Sequence, residues 1–142
     1  MSANADQSQQ IQLLNQRVFL LESAFAPTSA KETTKTFAEA VLQRNAAVQY
    51  MVFCPALQQQ YLDTFQSLNW VSGTSSPSIA SYAISTVSAG HFTINYQVTL
   101  QNQPAGSMLD ELTVVPVTPS ATSSQHYCIS AYTRIPHLGG AG

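Results

Sequence analysis

A chain of 142 residues is long enough for one domain with a buried core and too short for two, and its 44% hydrophobic fraction argues against wholesale disorder. Charged residues make up only 8% of the chain, and the net charge of -2 comes without a basic run, which excludes an electrostatic surface for nucleic acid. No stretch reaches the ~18 to 20 consecutive apolar residues of a transmembrane helix, so we expect no membrane span.

Polar but uncharged side chains, mainly Ser, Thr, Gln and Asn, take the place of charged ones, and this is typical of exported proteins. The first six residues have neither the basic start nor the apolar segment of a secretory signal. We therefore expect a mature or trimmed exported chain, with a cytoplasmic protein as the alternative.

The first predicted helix covers residues 7–25. Its apolar side chains recur at spacings of three and four, which is an a/d pattern over two heptads: Ile11, Leu14, Val18, Leu21 and Phe25. Leu13, Phe19 and Leu20 widen this apolar face. Such a helix either packs against its own domain or binds a second copy or another protein.

Two more helices are predicted after a break at Pro27. One begins at Lys31 or Thr33 and ends at Phe53, with Ser29 as its N-cap and Glu32 completing a capping box. The other covers residues 55–68, because Pro55 is favoured in the first turn of a helix.

The hydrophobic period changes to two after a predicted loop at residues 71–77. Tyr82 and Ile84 alternate in a first strand, and the clearest strand covers residues 91–100, with apolar side chains on one face and polar ones on the other. We predict turns at 88–90 and 101–106, a third strand at 108–117 with Pro116 near its end, and a last strand at 125–135.

Helices followed by antiparallel strands indicate an α+β fold, in which N-terminal helices pack on a four-stranded sheet. This element order over residues 31–135 resembles the cystatin-like cone of the nuclear-transport-factor-two superfamily. The segments 50–55 and 69–77 are similar to those of small exported bacterial members. The resemblance implies a curved sheet around a conical cavity. We assign residues 1–28 to an extra amphipathic helix and linker, 29–136 to the cone domain and 137–142 to a flexible tail.

The resemblance leaves two functional hypotheses, because fold alone does not choose between them. One is a non-enzymatic binding or interaction module that self-associates, or binds a second protein, through the sheet face or the N-terminal helix. The alternative is an enzyme similar to the dehydratases or isomerases of the superfamily, with Asp110 as base, His91 or His126 as acid and Tyr96 as orienter.

The enzyme hypothesis depends on whether the Asp110 side chain points into the domain or to solvent. If Leu112 and Val114 share its face, the carboxylate points into the domain; if Leu109 and Val115 form the buried face, it points to solvent. A structural carboxylate paired with Arg134 or a lysine is the competing interpretation.

Aromatic residues provide candidate ligand contacts. Tyr61, Trp70, Tyr82 and Tyr96 either line an apolar pocket or pack in the core. In the last strand, Tyr132 and Arg134 share strand parity with His126 and could bind a polar ligand, although an exposed polar face has the same pattern.

The two cysteines permit one disulfide, Cys54 to Cys128, or two buried thiols. Neither lies in a spacing typical of zinc sites. The sequence has no glycine-rich phosphate loop and no motif of a serine hydrolase or zinc protease, so we expect no cofactor and no metal.

Overall fold

The computed structural model describes residues 3–74, 77–120 and 123–138. Helices occupy the first half of the described chain and strands the second. The elements are α1 (Ala3–Phe25), α2 (Ala30–Leu42), α3 (Ala46–Val52), α4 (Pro55–Ser67), β1 (Ser78–Ser88), β2 (His91–Leu100), β3 (Gln103–Pro116) and β4 (Tyr127–Leu138). The predicted α+β class is confirmed. None of the described helices is long and apolar enough to cross a membrane.

The four strands form one curved, unclosed antiparallel sheet in the order β1-β2-β3-β4. Helices α2, α3 and α4 contact this sheet or one another, and the side chains between these layers form the core. The predicted strand at 91–100 is confirmed: Phe92, Ile94, Tyr96 and Val98 are buried on the core side of β2.

The long helix predicted to end at Phe53 is wrong, because the chain breaks into α2 and α3. Arg44 adopts a left-handed conformation with φ of 60°, which no α-helix accommodates. Asn45 then starts α3, and its side chain accepts a hydrogen bond from the Val48 amide at 3.1 Å. After the break, α3 contacts α2, α4 and β4.

The predicted N-cap of α2 is confirmed, since Ser29 Oγ accepts a hydrogen bond from the Glu32 amide at 3.0 Å. The predicted capping box differs in one partner. Glu32 Oε2 accepts its hydrogen bonds from the amide and hydroxyl of Thr28, one residue before the N-cap.

Two strand boundaries also differ from the sequence prediction. The turn between β2 and β3 is confined to Gln101 and Asn102, both with positive φ, so β3 begins at Gln103 within the predicted loop. Pro116 ends β3, as predicted. The last strand covers Tyr127–Leu138, so residues 137–138 of the predicted tail belong to β4 and residues 139–142 lie outside the described part of the chain.

A disulfide joins Cys54, the N-cap of α4, to Cys128 in β4. The same junction is closed by a backbone hydrogen bond of 2.9 Å from the Cys54 amide to the Ile129 carbonyl. The covalent link thereby fastens the helix layer to the edge strand β4.

Candidate functional site

Asp110 lies on β3 with its side chain on the core side of the sheet. It is paired in register with Ile94 on β2 and with Arg134 on β4, and its side chain is 0% exposed. Leu112 and Val114 are buried on the same face. The carboxylate therefore points into the domain.

Arg134 binds both oxygens of Asp110. Its Nε donates to Oδ1 at 2.8 Å and its Nη2 donates to Oδ2 at 2.9 Å, a bidentate geometry, while its own side chain remains 32% exposed. Burial lowers the pKa of Arg134, but the hydrogen bonds and negative charge of Asp110 outweigh it and raise that pKa above its ordinary value. Asp110 and Arg134 therefore neutralise each other, and Asp110 could act as a general base only after its hydrogen bonds to Arg134 were broken.

The structure does not bring either histidine to Asp110. His91 is the exposed first residue of β2, where its ring lies 3.3 Å from the Thr113 hydroxyl, and Thr113 is three positions beyond Asp110 on β3. His126 is exposed and precedes β4. Among the described contacts, no hydrogen bond links Asp110 to a histidine.

The predicted shared face of His126, Tyr132 and Arg134 is wrong. A register shift lies between Thr113 and Val114, where β4 carries one extra residue, Ser130. Such a bulge reverses which residues face the core. Tyr132 and Arg134 therefore lie on the core side, and His126 does not share it.

Several candidate ligand contacts belong to an aromatic cluster around Phe53. Tyr61 lies 5.4 Å and Tyr132 6.0 Å from that ring, measured between centroids. Trp70 packs edge-on against Tyr50 at 5.5 Å. These rings fill the space between the helices and the sheet, as expected of core aromatics.

Tyr82 and Tyr96 face each other across β1 and β2 but differ in their hydroxyl environments. Tyr82 Oη donates to Glu39 Oε1 at 2.6 Å, and burial, this hydrogen bond and the charge of Glu39 raise the pKa of Tyr82 to about 12. Tyr96 is fully buried, and none of the described groups is in hydrogen-bond geometry with its hydroxyl. Burial and the nearby charge of Asp110 raise the pKa of Tyr96 as well.

We expect Tyr82→Phe to destabilise the protein by about 1 kcal/mol, because it removes a hydrogen bond to a charged acceptor. The same change at Tyr96 removes a hydroxyl without such a partner, so Tyr96→Phe should leave stability unchanged or raise it. Urea unfolding of the two variants measures both effects. A larger loss for Tyr96→Phe than for Tyr82→Phe would contradict this assignment.

A second candidate site is the outer surface of α1. Its five heptad residues, here called the α1 stripe, have side chains between 45% and 72% exposed: Ile11, Leu14, Val18, Leu21 and Phe25. Contacts between α1 and the rest of the domain are few. Beside the stripe, Phe19 and Glu22 border a groove formed with Tyr50 and Met51.

Two charged residues next to the α1 stripe were missed by the sequence analysis. With Ile11 at position a, Arg17 falls at g and Glu22 at e of the following heptad. Assigning every heptad position, rather than only the apolar ones, would have found them. Arg44, which lines a cavity beside α2, carried no such signal, since its position depends on the break between α2 and α3.

Within the described residues, no group of three or more His, Cys, Asp or Glu side chains could hold a metal ion. No family model matches the chain, and no curated protein or solved structure matches it either. The resemblance to the nuclear-transport-factor-two superfamily therefore stays a prediction.

Proposed function

We propose that this protein is a non-enzymatic interaction module that associates with a second copy of itself through the α1 stripe. The observation that carries the proposal is the row of exposed apolar side chains on a helix of 23 residues that the domain leaves uncovered. Contiguous exposed apolar patches on soluble domains mark interaction sites. The outer face of β2 is a weaker candidate, since it presents polar residues, Asn95 and Gln97 among them.

The residue types in the α1 stripe favour two parallel helices. Ile11, Val18 and Phe25 occupy position a, while Leu14 and Leu21 occupy position d. β-Branched residues at a combined with leucine at d favour parallel dimers. The groove beside the stripe is lined by Phe19 and Glu22 but by none of the five stripe residues, which remain exposed.

Charge complementarity supports a second copy as the partner. In a parallel pair, a residue at g lies against the residue at e of the following heptad in the other helix. Arg17 of one copy would therefore face Glu22 of the other on both sides of the symmetric interface. Within one helix the two residues are five positions apart and do not face each other. Burial raises the pKa of Glu22, and a partner cation would offset that cost.

The enzyme hypothesis is less well supported, because both oxygens of Asp110 bind Arg134 and the two histidines lie elsewhere. The disulfide between Cys54 and Cys128 favours an oxidising, extracytoplasmic compartment for the module, since such bonds are rare in the cytosol.

We expect the protein to dimerise with a dissociation constant on the order of 1–100 µM, because two heptads bury a small interface. Leu21→Gln should weaken association about tenfold or more, since each copy loses a buried leucine. Leu20→Gln is the matched control: Leu20 is 66% and Leu21 57% exposed, but only Leu21 lies in the stripe. Sedimentation equilibrium of the full chain measures all three. A monomer at every concentration, or equal effects of the two substitutions, would overturn the proposal.

Charge exchange tests the pairing of Arg17 with Glu22. Arg17→Glu and Glu22→Arg should each weaken self-association, because each places like charges across the interface. Mixed together, the two variants should form a heterodimer, since both contacts then join opposite charges. Failure of the mixture to associate better than either variant alone would contradict this pairing.

A further inference from the structure

A cavity of about 310 Å³ lies between the end of α2, the loop after α4 and the sheet. We call it the α2 cavity. Its apolar wall is formed by Val41, Leu42, Ile79, Val98 and Met108. The volume is at the lower end of the ~300–1,000 Å³ found for small-molecule sites.

The charged side chains that line the α2 cavity are both arginines, Arg44 and Arg134. The charge of Arg134 is balanced by Asp110, which binds it from the core side. Arg44 binds backbone carbonyls instead, with Nε donating to Ser72 at 2.9 Å and Nη2 donating to Gly73 at 3.5 Å. No ion pair to Arg44 is found in the described part of the chain, so the cavity carries one uncompensated positive charge beside an apolar wall.

Arg44 is held in place before any ligand arrives. Its φ of 60° is costly for a residue with a side chain, by about 1–3 kcal/mol, and such strained positions cluster at functional sites. The Ser72 amide donates to the Arg44 carbonyl at 3.0 Å, and the buried Gln49 donates to the Ser72 hydroxyl at 2.6 Å. These bonds tie the loop to the helix break and orient the guanidinium.

From this arrangement we infer that the α2 cavity binds a small amphiphilic carboxylate, with its hydrocarbon chain on the apolar wall and its carboxylate on Arg44. A guanidinium has five N–H donors, and two of those of Arg44 are used by the carbonyls, which leaves donors for a carboxylate. The apolar wall lowers the local dielectric constant and strengthens the attraction between opposite charges. A cationic or uncharged ligand of the same length would gain only the apolar contacts.

Isothermal titration calorimetry of the full chain with octanoate tests this inference, with 1-octanol and octylammonium as ligands of equal chain length. We expect octanoate to bind with a dissociation constant on the order of 10–1,000 µM, 1-octanol about tenfold more weakly and octylammonium more weakly still. Absence of octanoate binding, or equal binding of octanoate and 1-octanol, would overturn the inference.

Two pairs of variants locate the binding site. Arg44→Gln should weaken octanoate binding about tenfold, whereas Arg44→Lys keeps the charge and should retain part of the affinity. Lys31→Gln removes the same charge from an exposed position on α2 outside the cavity, and an equal loss there would refute the cavity. Ile79 is half-buried at the rim of the cavity, and Ile79→Trp should fill the cavity and abolish octanoate binding. This variant tests the site even if Arg44→Gln does not fold. Octanoate binding retained by Ile79→Trp would also refute the assignment.

Discussion

Replacing Asp110 with asparagine is expected to lower the free energy of unfolding by about 3 kcal/mol. The substitution keeps the size of the side chain but removes its charge, so Arg134 is left with a guanidinium that is largely enclosed and unpaired. The Arg134 side chain is 32% exposed and keeps some contact with water. The expected loss of unfolding free energy is therefore at the lower end of the range for breaking a buried ion pair. Chemical denaturation followed by tyrosine and tryptophan fluorescence measures the loss.

Two further variants test whether the loss of stability comes from breaking the charge pair or from any substitution at this position. Glu111→Gln changes the neighbouring carboxylate, which is exposed on the opposite face of β3, and should alter stability by no more than about 0.5 kcal/mol. The double variant Asp110→Leu/Arg134→Met removes both charges and should be more stable than Asp110→Asn, because no buried charge remains unpaired. A double variant less stable than Asp110→Asn would show that the side chains stabilise the protein by something other than their pairing.

Removing the disulfide should cost about 4 kcal/mol of unfolding free energy, because the bond closes a separation of 74 residues and restricts the unfolded chain. Replacing Cys54 and Cys128 with alanine tests this directly, and the variant should unfold at a lower denaturant concentration. Reducing agent should produce a similar loss in the unmodified protein and none in the double variant. Equal stability with and without reductant in the unmodified protein would contradict the expectation.

The parts of the fold that the sequence predicts well are those in which local pattern and burial agree. In β2, Phe92, Ile94 and Tyr96 alternate with polar residues, and the strand has the predicted bounds. Ser29 begins α2 because its hydroxyl can accept a backbone hydrogen bond whatever lies elsewhere in the chain.

Tertiary contacts decide the features that local pattern did not predict. Arg44 follows a continuous helical pattern, but its guanidinium binds the carbonyl of Ser72, 28 residues away, and the break between α2 and α3 accompanies that contact. The bulge at Ser130 depends on the register between β3 and β4, and a single extra residue changed which side chains of β4 face the core.

The candidate functional residues likewise divide into those that local sequence pattern predicts and those that depend on tertiary contacts. The α1 stripe could be identified from the sequence because it depends on spacing within one helix. The pairing of Asp110 with Arg134 was one of two open alternatives, since strand parity alone did not fix which face of β3 is buried. A cavity inside the curved sheet was predicted from the resemblance, but the residues that line the α2 cavity were not, because they come from α2, a loop and all four strands.

The order of the strands has a consequence for how the chain reaches its native state. Each strand pairs with its neighbour in sequence, so the sheet can grow hairpin by hairpin with short loop closures. Strand β4 is the last strand in the sequence, and it contains both Cys128 and Arg134. Without β4 the helix layer has no disulfide to the sheet and Asp110 has no counterion, so a partly folded chain that lacks β4 would contain an unpaired charge. We therefore expect the docking of β4 to limit the rate of folding, so that substitutions in β4 slow folding more than equally disruptive ones in β1.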